Sequence, residues 1–521
     1  MIKKLINLEL TKNKQHAINI VASVVNMVVT TLISFCLSPF VVNNIGVEAN
    51  GFITLANSFV SYAALVRTAL NSMGSRFLMM AYYNNEHEKV ERYYSSLFIA
   101  DLVLGVLMGI TGAVCVWKLE YILNIPVEIL HDVKLLFFLL FFNCAIATML
   151  TVWGTATYIK NKLYLESITS AFNSIVRATA ILGLFLCLEP SVCFVGIGTL
   201  LGGLISYIFS FFYKKNIFPD LKAKVSKFSW KAIYELLASG IWNSISSLGS
   251  ILISGMDLLI ANLFVGPTNM GILAIAKTMP AFVDNLNYTI ASVFVPSLII
   301  DYAKGQRESM VKTIKSSAKI ISVICALPLG FLIVYGKQFY SLWQPTQEAE
   351  LLHVLSVITI FGRVFFTGMQ PLFDVFTVVN KVKINSLVTV GNGLLSIGIT
   401  CVLVATTNWG IFAVAGVSVV CCFLKNIFFV IPFSAKYLGL KITTFYSTLY
   451  PSILCCFILY VVGYVVKLFI AGNSWISLIF AGCLFCMIGV IVTSLIVLNR
   501  EEREKLIYII KSKIKKNKRV E

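Results

Sequence analysis

Charged side chains are scarce in this sequence. Only 13% of its 521 residues are Asp, Glu, Lys or Arg, whereas 58% are hydrophobic. Soluble globular domains contain about 25% charged residues, so the composition excludes that class and predicts an integral membrane protein. Acidic residues are fewer than basic ones, 24 against 42. No exposed segment interleaves basic with aromatic residues as nucleic-acid binding requires, so we predict no nucleic-acid partner.

Histidine is also rare, and the cysteine spacings are uninformative. The four His residues have no second His or Cys at a metal-ligand spacing. Nearly all of the 13 Cys residues lie inside apolar runs, where small packing residues are common. We therefore predict neither a metal site nor a cofactor. The basic start MIKKLINLELTKNK is not followed by an A-x-A-like cleavage site, which favours an uncleaved first membrane span.

Long apolar runs occupy most of the chain. A helix needs roughly 20 apolar residues to cross the hydrocarbon core of a bilayer. Division at Gly, Pro, Asn and charge clusters gives fourteen such segments, so the predicted fold class is an all-α integral membrane protein. Numbered from span 1 to span 14, they are 16–43, 51–80, 95–117, 133–159, 164–188, 192–213, 237–265, 270–300, 317–336, 351–379, 384–406, 410–432, 447–470 and 475–498.

Lysine and arginine are concentrated in alternate loops. The loops of the opposite set contain only Lys118, Lys134, Lys337 and Lys467. The positive-inside rule therefore places both termini in the cytoplasm, and we predict a multi-pass protein of the bacterial cytoplasmic membrane. All outside loops are short, which leaves no room for a catalytic domain, and we predict that the protein is not an enzyme.

The sequence contains a weak internal repeat at an offset of 220 residues. Gly46 matches Gly266 and Gly51 matches Gly271; after one deletion, Asn161 matches Asn380. Each copy holds six spans, so both copies have the same orientation, which predicts two lobes around a central cavity. The predicted domains are an N-lobe (1–213), a basic cytoplasmic linker helix (214–236) that lies on anionic lipids, a C-lobe (237–435), two accessory spans (436–498) and a basic cytoplasmic tail (499–521).

Polar and ionisable residues inside spans are costly and usually face a bundle interior or a wet cavity. Basic groups suit a diphosphate ligand, because Arg presents forked donors to phosphate oxygens. The alternative is that the same groups only hold the bundle together. The predicted substrate-binding residues are Arg67, Arg177, Lys277, Arg363, Asn57, Asn71 and Gln370.

Two spans carry several of these polar residues at helical spacing. Arg363, Gln370 and Asp374 are spaced i, i+7, i+11 and should share one stripe of span 10. Lys277 and Asp284 are spaced i, i+7 on span 8.

Asp257 has a predicted partner. It precedes the turn near Pro267 by ten residues, and Lys277 follows that turn by ten. Antiparallel helices place such positions at equal depth, which predicts an Asp257–Lys277 contact. The pair is either structural or involved in ion coupling, in which H⁺ or Na⁺ binds Asp257. Asp284 and Asp374 are grouped with Asp257 as ion-coupling or structural carboxylates.

The turns NIGVEANGFITLANSF and LFVGPTNMGILAIAKTM, the segment NSMGSRFLMMAYYNN and the two six-span lobes resemble the multidrug/oligosaccharidyl-lipid/polysaccharide (MOP) exporter superfamily. Within it, the chain looks like the Wzx-type polysaccharide-transport flippases. This resemblance implies that undecaprenyl-diphosphate-linked oligosaccharide is moved across the cytoplasmic membrane by alternating access, for O-antigen or capsule export. A polysaccharide polymerase is then an expected partner.

Three other functions remain open. The first is a peptidoglycan lipid-precursor flippase, whose substrate has the same diphosphate-lipid group. The second is a cation-coupled multidrug exporter of the same superfamily, although that function would favour an acidic cavity. The third is a polysaccharide polymerase, which would need a large outside loop that this sequence lacks.

Overall fold

The computed structural model describes residues 12–219 and 221–504, and these residues form helices joined by short turns. Spans 1 and 2 are the arms 12–45 and 47–83 of helix Lys12–Tyr83. Span 3 is His87–Trp117, span 5 is Leu163–Cys187 and span 6 is Cys193–Ile217. Span 4 combines Leu130–Met149, Thr151–Gly154 and Thr155–Ile159, and span 7 combines Trp230–Ser254, Met256–Ile260 and Ala261–Val265.

The second half continues in the same way. Span 8 combines Pro267–Ala276, Thr278–Ser292 and Val295–Ala303, and span 9 is Arg307–Trp343. Span 11 is Val382–Thr406, span 13 is Leu449–Phe469 and span 14 is Trp475–Val497. Span 10 combines Ala349–Phe366, Thr367–Met369 and Gln370–Val378, and span 12 combines Ile411–Lys425, Asn426–Val430 and Ile431–Tyr437. The predicted all-α membrane fold is confirmed.

Thirteen helical segments of the described chain are long and apolar enough to cross a membrane. The first, Val21–Tyr83, has 63 residues. It would be about 95 Å long as one straight helix, against a hydrocarbon core of about 30 Å. The backbone of Gly46 is not helical (φ 89°, ψ 166°) and divides this segment into two arms. The thirteen segments therefore account for all fourteen predicted spans.

The predicted repeat is also present in the backbone. Residues with positive φ recur at the repeat offset, and the pairs are Gly46/Gly266, Asn85/Gly305 and Asn161/Asn380. Gly46 and Gly266 have almost the same conformation, since Gly266 has φ 105° and ψ 163°. Only glycine adopts this region without strain, which explains why both copies have glycine at this turn.

The other two pairs end helices in the same way. The N–H groups of Asn85 and Glu86 donate to the carbonyls of Tyr82 and Ala81. In the second copy, Gly305 and Gln306 donate to Tyr302 and Asp301. This is the hydrogen-bond pattern of a helix end with a left-handed residue, where Asn and Gly are favoured. The repeat is therefore a repeat of turn chemistry as well as of hydropathy.

Contacts divide the chain into two compact units. Unit 1 comprises the described residues up to Ala274 together with Thr389–Ile397, and unit 2 comprises Ile275–Val388 and the described residues from Gly398 onward. This division differs from the predicted one, because span 7 packs in unit 1 instead of opening the C-lobe. The Ser244 hydroxyl donates to the Leu65 carbonyl (2.7 Å), and the absence of a side chain at Gly240 brings span 7 against the Ala69 carbonyl. Small residues permit such close helix packing in membranes.

The linker between spans 6 and 7 differs from the predicted helix over 214–236. Span 6 ends at Ile217, span 7 begins at Trp230, and the described residues between them form only a 3₁₀ turn, Val225–Lys227. Pro219 cannot continue a helix. Two buried hydroxyls of span 3 accept linker N–H groups instead: Ser95 from Lys224 (3.1 Å) and Ser96 from Ser229 (2.9 Å).

The accessory spans 13 and 14 pack within unit 2 against span 9. Ser452 of span 13 hydrogen-bonds Ser322 of span 9 (2.8 Å), and its hydroxyl also accepts the Gly368 N–H (3.0 Å). After span 14, Glu502 forms an ion pair with Lys319 (3.1 Å). The rest of the predicted tail, 505–521, lies outside the described residues.

Candidate functional site

The candidate residues fall into both units, and each unit is described by itself. Unit 1 contains Asn57, Arg67, Asn71, Arg177 and Asp257. Unit 2 contains the remaining candidates, which are Lys277, Asp284, Arg363, Gln370 and Asp374.

In unit 1, Asn71 and Arg67 lie one helical turn apart on span 2. The Asn71 amide donates to Asp101 Oδ1 of span 3 (2.7 Å). Arg67 lies within electrostatic range of Asp101, and also of Cys144 on span 4 and Tyr207 on span 6. The Arg67 side chain therefore lies among spans 2, 3, 4 and 6. Its guanidinium forms no ion pair with any residue in the described part of the chain.

Spans 4, 5 and 6 form a second polar group in unit 1. Tyr207 donates to Asn143 Oδ1 (2.9 Å), and Asn173 donates to Ser206 (3.0 Å). Two glycines make room for the amides: a Cβ at Gly202 would lie 2.5 Å from the Asn173 side-chain oxygen, and Gly203 faces Asn143 in the same way. The spacing of Gly, Asn and Tyr therefore brings these polar side chains together inside an apolar bundle.

Arg177 follows Asn173 by one turn of span 5. It is half-buried, and its Nε atom is buried with no hydrogen-bond partner within 12–219 and 221–504. A buried donor without a partner costs free energy, and a guanidinium costs more than a neutral group. Arg177 is thus a cation at span depth with unused hydrogen-bonding capacity.

The other two candidates of unit 1 differ in exposure. Asn57 is exposed and donates back to the Ile53 carbonyl (2.9 Å). Asp257 is only 5% exposed and lies within electrostatic range of Tyr62. Lys277 belongs to unit 2, and its predicted contact with Asp257 stays a prediction.

In unit 2, Arg363 of span 10 forms an ion pair with Asp284 of span 8. Arg363 Nε donates to Asp284 Oδ1 (2.6 Å), and Nη2 donates to Oδ2, so the pair is bidentate. Their side chains are 31% and 53% exposed. Bidentate Arg–carboxylate pairs are strong and geometrically specific, yet this one is reachable from outside the bundle. The sequence had assigned Asp284 to a face with Lys277 and had not indicated Arg363 as its partner.

The predicted stripe on span 10 is interrupted. A 3₁₀ turn, Thr367–Met369, separates helix Ala349–Phe366 from helix Gln370–Val378. A 3₁₀ helix turns about 120° per residue and an α-helix about 100°, so three residues rotate the next segment by about 60°. The turn therefore rotates Gln370 and Asp374, both half-buried, away from the positions that one continuous helix would give them relative to Arg363.

Sequence reasoning missed three groups. Asp101, Asn143 and Lys425 are not among the residues that the sequence singled out, although each lies inside a predicted span. Lys425 of span 12 lies over the Phe373 ring, with Nζ 5.8 Å from its centre. The available signal was simple, because each of these polar residues interrupts an apolar run. Within the part of the chain that the structure describes, no three His, Cys, Asp or Glu side chains are grouped to hold a metal ion.

Solved transporters have the same fold. The lipid II flippase MurJ in an inward closed conformation aligns with a TM-score of 0.67 at 13% identity, over 92% of this chain and 99% of MurJ. An inward-facing multidrug-resistance MATE family transporter of the MOP superfamily aligns with a TM-score of 0.66 at 15% identity, over 79% and 94% of the two chains. At these identities the likeness concerns the fold.

Sequence comparison identifies the family. The membrane protein EpsK of Bacillus subtilis (strain 168), described as uncharacterized, is 24% identical over 490 residues, which are 94% of this chain and 97% of EpsK. The model of the family described as "Polysaccharide biosynthesis protein" matches residues 45–340, more than half of the chain. The predicted resemblance to the MOP exporters is confirmed, and the chain belongs to this polysaccharide biosynthesis protein family.

Proposed function

We propose that this protein is a flippase that moves an oligosaccharide linked to undecaprenyl diphosphate across the cytoplasmic membrane, for surface polysaccharide export. The family match supports a role in polysaccharide biosynthesis, and the fold supports transport. The observation that carries the substrate class is the set of arginines at span depth with unused donors, Arg67 and Arg177 in unit 1. A diphosphate would satisfy such donors with charge-assisted hydrogen bonds.

Arg363 supports the same proposal in unit 2. Its carboxylate partner Asp284 is more than half exposed, so an incoming phosphate competes with Asp284 for the guanidinium. In this arrangement the arginine pairs with Asp284 when no ligand is bound and with the phosphate when the ligand is bound. Its charge is therefore paired in both states. The lipid substrate and the anionic membrane lipids are the proposed partners, and a polysaccharide polymerase stays a predicted one.

The decisive experiment is deletion of the gene followed by analysis of lipid-linked intermediates. We expect undecaprenyl-diphosphate-linked oligosaccharide to accumulate in the inner leaflet and surface polysaccharide to be lost, with both restored by the wild-type gene. Accumulation of the peptidoglycan lipid precursor would move the assignment to the precursor flippase. Unchanged lipids together with drug sensitivity would favour a multidrug exporter.

Asp257 is the proposed coupling carboxylate, because it is nearly fully buried at span depth. In proteoliposomes, Asp257→Asn should still move the lipid substrate, but its rate should no longer depend on an imposed H⁺ or Na⁺ gradient. The matched control is Asp132→Asn, since Asp132 lies at the start of span 4 and accepts a hydrogen bond from Ser191 (2.7 Å). Gradient dependence equal to that of the wild type would exclude the coupling role and leave Asp257 as a structural residue.

A further inference from the structure

Asp101 is a fully buried carboxyl group in the middle part of a membrane span. It is 0% exposed and follows the first residue of span 3, His87, by fourteen positions. Fourteen residues of α-helix extend about 21 Å, in a helix of about 46 Å. The carboxyl group therefore lies well inside the helix, beyond the level at which Ser95 and Ser96 bind the linker.

The two oxygens of Asp101 have different environments. Oδ1 accepts the Asn71 amide at 2.7 Å. Oδ2 is buried and has no hydrogen-bond partner among the described residues. A buried carboxylate is stable when several donors bind it, and one neutral amide leaves it only partly satisfied. A proton on Oδ2 removes the charge, and a nearby cation would compensate it.

The available cation is Arg67. It precedes Asn71 by four residues on the same face of span 2, and it lies within electrostatic range of Asp101 without forming an ion pair. A side chain as long as arginine can reach either the carboxylate or a ligand on another side of the helix. Arg67 is also one of the proposed ligands of the diphosphate.

The other polar and titratable side chains near span 3 either bind other partners or lie farther from Asp101 along the helix. Cys144 and Thr148 face it from span 4, and the Thr148 hydroxyl contacts Met108. On span 7, Glu235 accepts the Tyr93 hydroxyl (2.7 Å), two turns before Asp101, and in the linker Lys224 pairs with Glu91. From span 6, Tyr207 is bound to Asn143. Among the described residues, Arg67 is therefore the cation that lies within electrostatic range of Asp101.

We propose that Asp101 is a proton-binding site that controls Arg67. The deprotonated carboxylate attracts Arg67 and competes with the diphosphate, whereas a proton from solvent on Oδ2 releases Arg67 to the diphosphate. The identity of the anion rests on the proposed function. Since coupling is reciprocal, protonation tightens anion binding and anion binding favours protonation.

The test is binding of undecaprenyl diphosphate to the purified full-length protein in detergent micelles at pH 5.5 and pH 8.5. The diphosphate itself gains negative charge as the pH rises, so the informative quantity is the ratio of the wild-type Kd to the Asp101→Asn Kd at each pH. We expect a ratio near one at pH 5.5. At pH 8.5 the variant should bind about tenfold more tightly, as typical coupling energies imply.

Two controls separate this role from a structural one. Asp132→Asn should give a ratio near one at both pH values. In the background of Arg67→Gln, adding Asp101→Asn should change nothing at either pH, because the responding cation is absent. An Asp101→Asn ratio that is the same at both pH values would overturn the proposal and leave the proposed function intact, whereas absence of binding to the wild type would overturn both.

A measurement on the wild type keeps the proposal testable if Asp101→Asn does not fold. Dicyclohexylcarbodiimide modifies protonated carboxyl groups in apolar surroundings, and the modified residue is identified by mass spectrometry. At pH 7.5, saturating undecaprenyl diphosphate should increase modification of Asp101 severalfold and leave that of Asp132 unchanged. Equal modification of Asp101 with and without the lipid would contradict the proposal.

Discussion

Gly271→Val should lower the melting temperature of the purified protein by roughly 6–12 °C. Overpacking a tight contact typically costs up to about 3 kcal/mol, and 1 kcal/mol corresponds to roughly 2–4 °C in a folding unit of this order of size. The change can be followed by thermal unfolding in detergent, detected through loss of monodisperse protein on size exclusion.

The reason is a contact of backbone against backbone in unit 1. A Cβ at Gly271 would overlap the carbonyl of Val47, and a Cβ at Gly51 would lie 2.8 Å from the Gly271 Cα. A flexible side chain could move aside, but a helix backbone cannot do so without shifting its neighbours. Thr268 donates to Glu48 (2.5 Å) in the same region, so a displacement would also break this hydrogen bond.

Gly183→Ala is the matched control. Gly183 lies inside the helix of span 5, and apart from its chain neighbours and that helix's own backbone no atom of the described residues lies within 4 Å of a Cβ built there. Alanine is favoured over glycine inside helices by up to about 1 kcal/mol, so this variant should melt at the wild-type temperature or slightly above it. A similar loss of stability in both variants would mean that the backbone contact at Gly271 is not the cause of the lower melting temperature.

The contact at Gly271 also shows what the sequence could reveal. The pair Gly51/Gly271 was found as a match between repeats, because turns and hydropathy are local properties that survive in each copy. The same holds for the division at Gly46 and for the helix ends at Asn161 and Asn380. What the repeat could not reveal is that these two glycines touch each other, since contact partners depend on how the helices pack.

The sequence indicated which residues are candidates for the site, but it was less informative about which of them bind each other. Polar residues at span depth were recognisable one by one, because they are costly there. Helical spacing then grouped Asp284 with Lys277, whereas Asp284 binds Arg363, 79 residues away. The spacing argument also assumed one continuous helix through span 10, which the 3₁₀ turn at Thr367–Met369 interrupts.

The depth of Asp101 in span 3 was not evident from the sequence for a related reason. The charges at Glu86–Arg92 end the apolar run, so hydropathy began the span at residue 95. The helix itself begins at His87, and the linker hydrogen-bonds Ser95 and Ser96 beyond its first two turns. Hydropathy identifies only the apolar part of a helix. The depth of a residue also depends on how far the polar end of the helix extends and on which segments cover it.

The Arg363–Asp284 pair allows the largest functional effect to be tested. Arg363→Gln should reduce transport of the proposed lipid substrate about 10- to 100-fold, because a hydrogen bond to a charged group contributes about 1.5–3 kcal/mol and each 1.4 kcal/mol is tenfold. It also leaves Asp284 without its partner, which lowers the yield of folded protein. Asp284→Asn leaves Arg363 free for the phosphate and should retain transport.

The double variant Arg363→Gln/Asp284→Asn separates the two roles of the arginine. It removes both charges and keeps a polar side chain at each position, so folded protein should return to the wild-type yield. Transport should stay as low as in Arg363→Gln, since the ligand has lost its guanidinium. Recovery of transport in the double variant would show that Arg363 serves only to neutralise Asp284, and substrate binding would then have to be assigned to other residues.

A second ion pair of unit 2 provides the control. Lys337 and Glu350 are joined at 2.6 Å, and both side chains are more than half exposed. Exposed pairs contribute about 0–1 kcal/mol, so Lys337→Gln/Glu350→Gln should change neither yield nor transport. Because this control removes the same two kinds of charge from the same unit, a transport defect confined to the Arg363 variants follows from the position of the charge. Such a defect would support a role for this basic group in binding the proposed diphosphate-carrying lipid.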